Sequence, residues 1–347
     1  MAELQARIER AVEIMRAAVA SGENASAVMG AASTNEVLFV EAAPSVDGKE
    51  NPDGDSIWLL ASITKTFFGT AFMQLAEAGK LLLNDPVVTY IPEFGVNGKK
   101  DITIWNLLTH TAGLCEDAWL EVYKRGGTTT ALIQAECSTW LNFKPGTAWE
   151  YNNGSFWILG ELITRISGQP YPEYLREHIC APLGMNSTAF SFTGKVKARM
   201  MPVHTWETEG LVSAPNALEY LQSTAFGAGG LWSSCYDLLA YCQAHLNALA
   251  GRQPALVSAP GTRMMTKRHT ANVRDVNGAP AWYGLAWGTD DGAGFTLGRG
   301  SGFGHGSAAS CYLWIEPEAD LAFVYLTNMW AYPRRASQLA LNVLLSG

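Results

Sequence analysis

The sequence contains little that would support a membrane-spanning, disulfide-bonded or metal-bound protein. No apolar run reaches the length needed to cross a bilayer. The six cysteines form no CxxC pair and are expected to be buried thiols. The six histidines show neither HExxH nor another metal-ligand spacing. We therefore expect no metal and no cofactor.

Blocks of lysine and arginine are also missing. The chain carries 24 basic and 32 acidic side chains, a formal net charge of −8, which argues against nucleic acid or an anionic membrane as a partner. Hydrophobic residues make up 48% and charged residues 16% of the chain, which is typical of a globular protein. We expect a small molecule as the partner, and the oligomeric state stays open.

The first twenty residues do not have the pattern of a signal peptide. Acidic and basic side chains alternate there among apolar residues at helical spacing, whereas a signal peptide has a basic start followed by an apolar core. The apolar positions Leu4, Ile8 and Val12 mark one face of an amphipathic helix. We expect this helix to pack on the sheet of the protein itself, and the protein to be cytoplasmic.

The predicted elements place strands near both ends of the chain and helices between them. Residues 26–33 and 36–42 predict a hairpin, and an apolar helix begins near Ser62. Further helices are predicted over residues 103–108, 130–141, 156–167, 171–179, 235–249 and 335–345. Further strands are predicted over residues 281–289, 294–297, 308–315 and 321–327.

This order predicts a mixed α/β (α+β) fold in which an antiparallel sheet, built from both chain ends, is flanked by helices. Residues 1–80 and 281–347 would form the α/β domain, and residues 81–280 a helix-rich inserted domain. A chain of 347 residues exceeds the usual size of a single hydrophobic core, which is consistent with this division.

The most informative motif is Ser62-Ile63-Thr64-Lys65, at the start of an apolar stretch. Positions i and i+3 of a helix share one face, so the Lys65 amine is predicted to lie near the Ser62 hydroxyl. A lysine surrounded by apolar residues loses water, which lowers its pKa and lets it accept a proton from the serine. Ser62 and Lys65 are therefore a candidate nucleophile and base, although SxxK alone also occurs as a helix cap followed by a helix former.

Two further segments contain candidate site residues. Tyr151 and Asn153 lie two positions apart in a loop, where the phenol can relay a proton and the amide can orient the acyl group of a substrate. Late in the chain, His305, Gly306 and Ser307 precede a strand and are candidate substrate-binding residues, since small residues at a strand edge let a substrate approach the backbone. This edge can also supply the N–H of Ala308 as an oxyanion donor together with the N–H of Ser62. Taken singly, the first segment is also typical of a helix cap and the second of a glycine-rich turn.

Together and in this order, the three motifs resemble those of the penicillin-recognising serine hydrolases. More of the chain resembles the branch that holds class C β-lactamases, D-alanyl-D-alanine peptidases and family VIII carboxylesterases. The segments that carry this likeness are 107–114, 182–185 and 228–234. The resemblance implies a β-lactamase-like fold with an α/β domain, an all-α domain and an active site between them.

The resemblance also implies a role for each motif residue. Ser62 would be the acylated nucleophile, Lys65 its base partner, Tyr151 the proton shuttle and Asn153 a contact for the acyl group. The chain departs from the lactamase pattern where Lys-Thr-Gly becomes His305-Gly306-Ser307, since a mostly neutral histidine replaces a permanent cation. No GxSxG occurs that would offer a competing nucleophile.

These observations predict a serine hydrolase that forms an acyl-enzyme and acts chiefly as a carboxylesterase on small esters. The alternatives that share Ser62 are a D-amino-acid amidase or peptidase, a β-lactamase and an acyltransferase. A catalytically silent binding protein of the same fold is the alternative outside the enzymes.

Overall fold

The structure is a computed structural model that describes residues 2–207, 210–213, 223–289, 296–298, 300–331 and 333–347. The helices are α1 (Ala2–Ala20), α2 (Thr64–Glu77), α3 (Ile104–Leu108), α4 (Asp117–Lys124), α5 (Thr129–Ser138), α6 (Ser155–Ser167), α7 (Tyr171–Leu175), α8 (Gly194–Lys197), α9 (Cys235–Ala250), α10 (Ala259–Thr266) and α11 (Arg335–Leu345). The strands are β1 (Ala27–Ala32), β2 (Val37–Ala43), β3 (Trp58–Leu59), β4 (His204–Glu207), β5 (Gly210–Ser213), β6 (Trp232–Ser233), β7 (Gly288–Thr289), β8 (Phe303–Gly306), β9 (Tyr312–Glu316) and β10 (Leu321–Thr327). No helix in the described ranges is both long and apolar enough to cross a bilayer.

A six-stranded antiparallel sheet joins the two ends of the chain. Its strand order is β2-β1-β10-β9-β8-β7, and β1 pairs with β10 so that Gly30 lies opposite Val324. The predicted antiparallel sheet built from both termini is therefore confirmed. β8, which carries His305 and Gly306, lies toward the edge of this sheet and pairs with β9.

Each face of the sheet packs on its own set of helices, because successive side chains of a strand point to opposite faces. On one face Met29, Phe323 and Tyr325 pack with residues of α1 and α11. On the other face Val28 and Val324 join the large core that includes α2, α6 and α9. The predicted docking of the amphipathic first helix on the sheet is confirmed, and α2 lies in the large core together with α6 and α9.

Helix α9 packs directly on β1 and β10. The contact depends on Gly30, since a Cβ at this position would lie 2.9 Å from Leu239 Cδ1 and 3.0 Å from Cys235 Sγ. Although 235–249 belongs to the predicted insertion, the helix formed there therefore packs on the sheet. The division into residues 1–80 with 281–347 and residues 81–280 stays a prediction.

The largest differences from the sequence-based elements lie in short segments. α4, α8 and α10 span four to eight residues, too few for a clear helical period. The strand predicted over 308–315 begins only at Tyr312, after a turn in which Ser310 has a φ of 58°. The first half of the strand predicted over 294–297 lies outside the described residues, and Thr296 and Leu297 are not in a strand.

Candidate active site

Ser62 lies in a tight turn immediately before α2. Residues Ala61–Ile63 form one 3-10 turn, and α2 continues from Thr64. Ala61 has a φ of 43°, which is rare for a residue with a Cβ. The turn is fixed from outside, because Leu60 N donates to Leu231 O at 2.9 Å and β3 pairs with β6. Strain of this kind, held by surrounding structure, is common at functional sites.

Lys65 is fully buried beside Ser62. Its Nζ donates to Ala228 O at 2.7 Å and to Asn153 Oδ1 at 2.9 Å, and lies 3.4 Å from Ser62 Oγ. Burial lowers the pKa of Lys65 to about 7, while the negative charge of Glu116 opposes this change. A large fraction of the amine is therefore uncharged near neutral pH.

The Tyr151 side chain completes the immediate surroundings of these two residues. Lys65 Nζ lies 4.8 Å from the centroid of the Tyr151 ring. Burial raises the pKa of the phenol, and the nearby Ser62 hydroxyl opposes this in part. The phenol is therefore protonated at neutral pH, and its hydroxyl makes no hydrogen bond of good geometry with any described residue.

Asn153 connects Lys65 to an acidic side chain that sequence reasoning missed. Its Oδ1 accepts from Lys65, and its Nδ2 donates to Glu116 Oε1 at 2.7 Å. Glu116 also accepts from Asn153 N at 2.9 Å. Glu116 immediately precedes the short helix α4, in a stretch without periodicity, so its side chain could not be placed from the sequence. The predicted contact of Asn153 with an acyl group stays a prediction.

The residues of the His305-Gly306-Ser307 triplet line a cavity together with Ser62. His305 Nε2 lies 2.8 Å from Tyr283 Oη and its Nδ1 lies 2.6 Å from Gly306 O. Burial, and then the Lys65 charge, lower the pKa of His305 to about 3, so the imidazole is neutral. Because a neutral imidazole has one donor, Nδ1–H donates to Gly306 O and Nε2 accepts from the tyrosine.

Gly306 lies directly against the Arg334 side chain. A Cβ there would lie 2.5 Å from Arg334 Cζ and Nε. Arg334 Nη1 donates to Ser307 O at 3.3 Å. The guanidinium therefore lies against the triplet. No pattern in the sequence had connected residues 306 and 334.

His110 is held by a backbone hydrogen bond and by ring contacts. Its Nδ1 accepts from Asn152 N at 3.1 Å, and its ring lies 4.5 Å from the centroid of Tyr151. Burial lowers the pKa of His110 well below its usual range. The neutral imidazole ring therefore packs against the Tyr151 ring.

Two cavities meet at Ser62, Tyr151 and Ala308. The first has a volume of about 600 Å³ and is lined mainly by apolar and aromatic side chains, among them Trp119, Phe226 and Trp330. The second has a volume of about 430 Å³, contains His305 and Ser307 in its wall, and is reached by Arg334. Asn153 lines the first cavity only. A substrate whose scissile bond lies at Ser62 would thus have its two parts in different environments.

An antiparallel sheet flanked by helices, with a serine and a buried lysine at the start of a central helix, defines the class of active-site serine hydrolases. The chain belongs to the beta-lactamase family, since the model of this family matches residues 11–346. The recognition from motifs and the predicted β-lactamase-like fold are both confirmed.

Known relatives and structures agree with this family. The chain is 33% identical over 186 residues to the putative penicillin-binding protein PbpX of Bacillus subtilis, a match that covers 53% of this chain and 45% of that protein. The chain therefore matches less than half the length of this curated relative.

Two solved structures share the fold over nearly their whole length. EstCE1, described as a hydrolase with promiscuous acyltransferase activity, has a TM-score of 0.83 at 20% identity, covering 99% of this chain and 98% of that one. A family VIII carboxylesterase has a TM-score of 0.80 at 19% identity, covering 96% and 98%.

Proposed function

We propose that this protein is a carboxylesterase in which Ser62 is acylated by small esters with an apolar acyl group. The observation that carries the proposal is the apolar cavity of about 600 Å³ that opens onto Ser62. The Asn153 amide in its wall already bonds Glu116 and Lys65. An acyl chain is thus offered mainly apolar contact, which favours hydrocarbon over peptide-like groups.

The contacts of Lys65 support its role as the base. A neutral amine has two N–H groups and one electron pair. Asn153 Oδ1 and Ala228 O take the two N–H groups, which leaves the electron pair for the hydroxyl hydrogen of Ser62. As Ser62 Oγ bonds to the ester carbonyl carbon, its proton moves to Lys65.

Tyr151 is suited to protonate the leaving group. In its neutral form it can give its proton to the alkoxide when the ester C–O bond breaks, and regain one from the Lys65 ammonium. In deacylation Tyr151 passes its proton to the neutral Lys65 amine and takes one from water as the water oxygen bonds to the acyl carbonyl carbon. The Lys65 ammonium then returns a proton to Ser62 Oγ as the bond between Ser62 and the acyl group breaks. We assign the oxyanion to the N–H groups of Ser62 and Ala308, since Ala308 borders both cavities.

A substrate panel tests this proposal. We expect kcat/KM for p-nitrophenyl esters to rise from acetate to hexanoate by about tenfold or more, because added methylenes enter the apolar cavity. We expect nitrocefin and D-alanine p-nitroanilide to be poor substrates when the enzymatic rate for each compound is divided by the rate of its uncatalysed hydrolysis. Faster normalised turnover of nitrocefin than of every ester would contradict the proposal.

A D-amino-acid amidase or peptidase is the second candidate, because Arg334 lies at the second cavity. A guanidinium is a good partner for a substrate carboxylate. In this case the p-nitroanilide, and amides that end in a carboxylate, would be the best substrates of the same panel.

The Trp330 side chain should contribute to the selection of long acyl chains. It borders the first cavity and is 37% exposed, so Trp330→Ala should remove apolar contact with little loss of stability. We expect KM for p-nitrophenyl hexanoate to rise by about tenfold while KM for the acetate changes little. Trp140→Ala, at a tryptophan that is 70% exposed and borders neither cavity, is the control. An equal rise in KM for both esters would contradict this role.

A further inference from the structure

The Glu116 side chain accepts hydrogen bonds from several groups of the loop that follows Tyr151. Its carboxylate accepts from Asn152 Nδ2 at 2.7 Å, from Asn153 N at 2.9 Å and from Asn153 Nδ2 at 2.7 Å. Gly154 N donates to it at 3.3 Å. One carboxylate thus fixes both the backbone and the side chains that follow Tyr151.

The chemistry of this cluster fixes the orientation of the Asn153 amide. A carboxylate can only accept hydrogen bonds, so the amide nitrogen must face Glu116 and the amide oxygen must face the other way. On that other side lies Lys65 Nζ, 2.9 Å from Asn153 Oδ1. With an amide reversed by half a turn, Nδ2 would oppose the N–H groups of Lys65.

We propose that Glu116 is a positioning residue that acts through Asn153. It holds the amide oxygen toward Lys65, and thereby directs the electron pair of the Lys65 amine to Ser62. Glu116 itself lines neither of the two cavities, and it reaches the site through its hydrogen bonds to Asn153. The inference rests on the role proposed above for Lys65 and adds a residue that the motifs do not contain.

A second carboxyl group lies close by and provides a matched control. Glu136 is fully buried, and a Cβ on Gly154 would lie 2.4 Å from its Oε1. Burial, and then the charge of Glu116, raise the pKa of Glu136 well above its usual range. It is therefore a neutral acid, for which glutamine is a close substitute in shape and charge.

Several other ionisable groups surround Lys65 and must be considered in any pH experiment. His110 and His305 are neutral and interact with the Lys65 charge, and the phenol of Tyr151 is protonated. Arg334 acts on Tyr151 and His305 from the second cavity. Among these groups Glu116 is the carboxylate whose charge opposes the lowering of the pKa of Lys65.

The test compares Glu116→Gln with the full-length wild-type protein. The Lys65 titration is followed by NMR of ¹³C-lysine-labelled protein, with Lys65→Met used to assign the signal, so that this readout needs no turnover. We expect the midpoint to fall by about one pH unit, since a nearby negative charge has been removed. The rate of Ser62 labelling by a fluorophosphonate should also fall by roughly tenfold to a hundredfold on the plateau above the midpoint, because the amine is misdirected.

The plateau separates positioning from charge alone. If Glu116 acted only through its charge, Glu116→Gln would lower the midpoint and leave the plateau at the wild-type rate, which would overturn the proposal. An unchanged midpoint would overturn it as well. Glu116→Asp retains the charge and should keep the midpoint, whereas Glu136→Gln should change neither midpoint nor plateau.

A failure of the proposed ester activity gives a different result. Wild-type protein that is not labelled and does not hydrolyse esters, yet shows the NMR midpoint and its change in Glu116→Gln, would reject the proposed function but not the interaction of Glu116 with Lys65. In that case the orientation of the amide is read from the Asn153 side-chain NH₂ signals. Signals unchanged in Glu116→Gln would overturn the positioning role.

Discussion

Ser62→Ala is expected to abolish the hydrolysis of p-nitrophenyl hexanoate, with a loss of roughly four to six orders of magnitude in kcat. No acyl-enzyme can form without the Ser62 oxygen. A water molecule in its place would not be covalently held next to Lys65 and would therefore be a much poorer nucleophile. Steady-state kinetics at pH 8, where most of the Lys65 amine is uncharged, measures the loss.

The fold should survive this change. The Ser62 hydroxyl makes a long contact of 3.4 Å to Lys65 Nζ and lies near the Tyr151 phenol, so the melting temperature should remain within a few degrees of the wild-type value. Ser138→Ala is the control: this exposed serine donates to Gln134 O in α5 and lies outside both cavities. Ester turnover within tenfold of wild type in pure Ser62→Ala protein would eliminate Ser62 as the nucleophile.

The parts of the site that could be predicted from the sequence are those set by local spacing. Ser62 and Lys65 are three residues apart, and Tyr151 and Asn153 are two apart, so a single turn or loop decides their relation. The structure brings these four residues together. Ser62 nevertheless lies in a 3-10 turn before the helix, a detail decided by the pairing of β3 with the distant β6.

The parts that could not be predicted depend on contacts between distant segments. Glu116 meets Asn153 across 37 residues, and Arg334 meets Ser307 across 27 residues. No periodicity or short motif in the sequence indicates either contact. The same holds for Gly30, whose importance depends on the side chains of α9 that approach it.

The lengths of the helices and strands could also be predicted only where the sequence signal is local. The terminal helix was predicted over 335–345 and is found at Arg335–Leu345, because its amphipathic pattern covers three turns. The predicted strand over 281–289 is reduced to β7 at Gly288–Thr289. Two aromatic residues of this range, Trp282 and Tyr283, line the second cavity, so the aromatic composition there serves the site rather than a strand.

Lys65→Met is expected to reduce ester kcat by roughly two to four orders of magnitude, because the base is lost while the shape of the side chain is nearly retained. It should also change how stability depends on pH. The pKa of a lysine in an unfolded chain is near 10.5, whereas that of Lys65 is about 7 in the folded protein. Between these values the unfolded chain holds a proton that the folded protein has released.

The sign of the effect follows from this difference in proton binding. Wild-type stability gains from Lys65 as the pH rises from 7 toward 10.5, and below pH 7 the buried ammonium is destabilising by its full amount. Lys65→Met lacks this dependence, so its stability relative to wild type should be highest at pH 6.5 and lower at pH 9, by on the order of 2 kcal/mol. Urea unfolding at the two pH values measures the change, with Lys80→Met, at an exposed lysine, as the control. The same relative stability at both pH values would show that Lys65 is not a buried amine with a lowered pKa, and would remove the base from the mechanism.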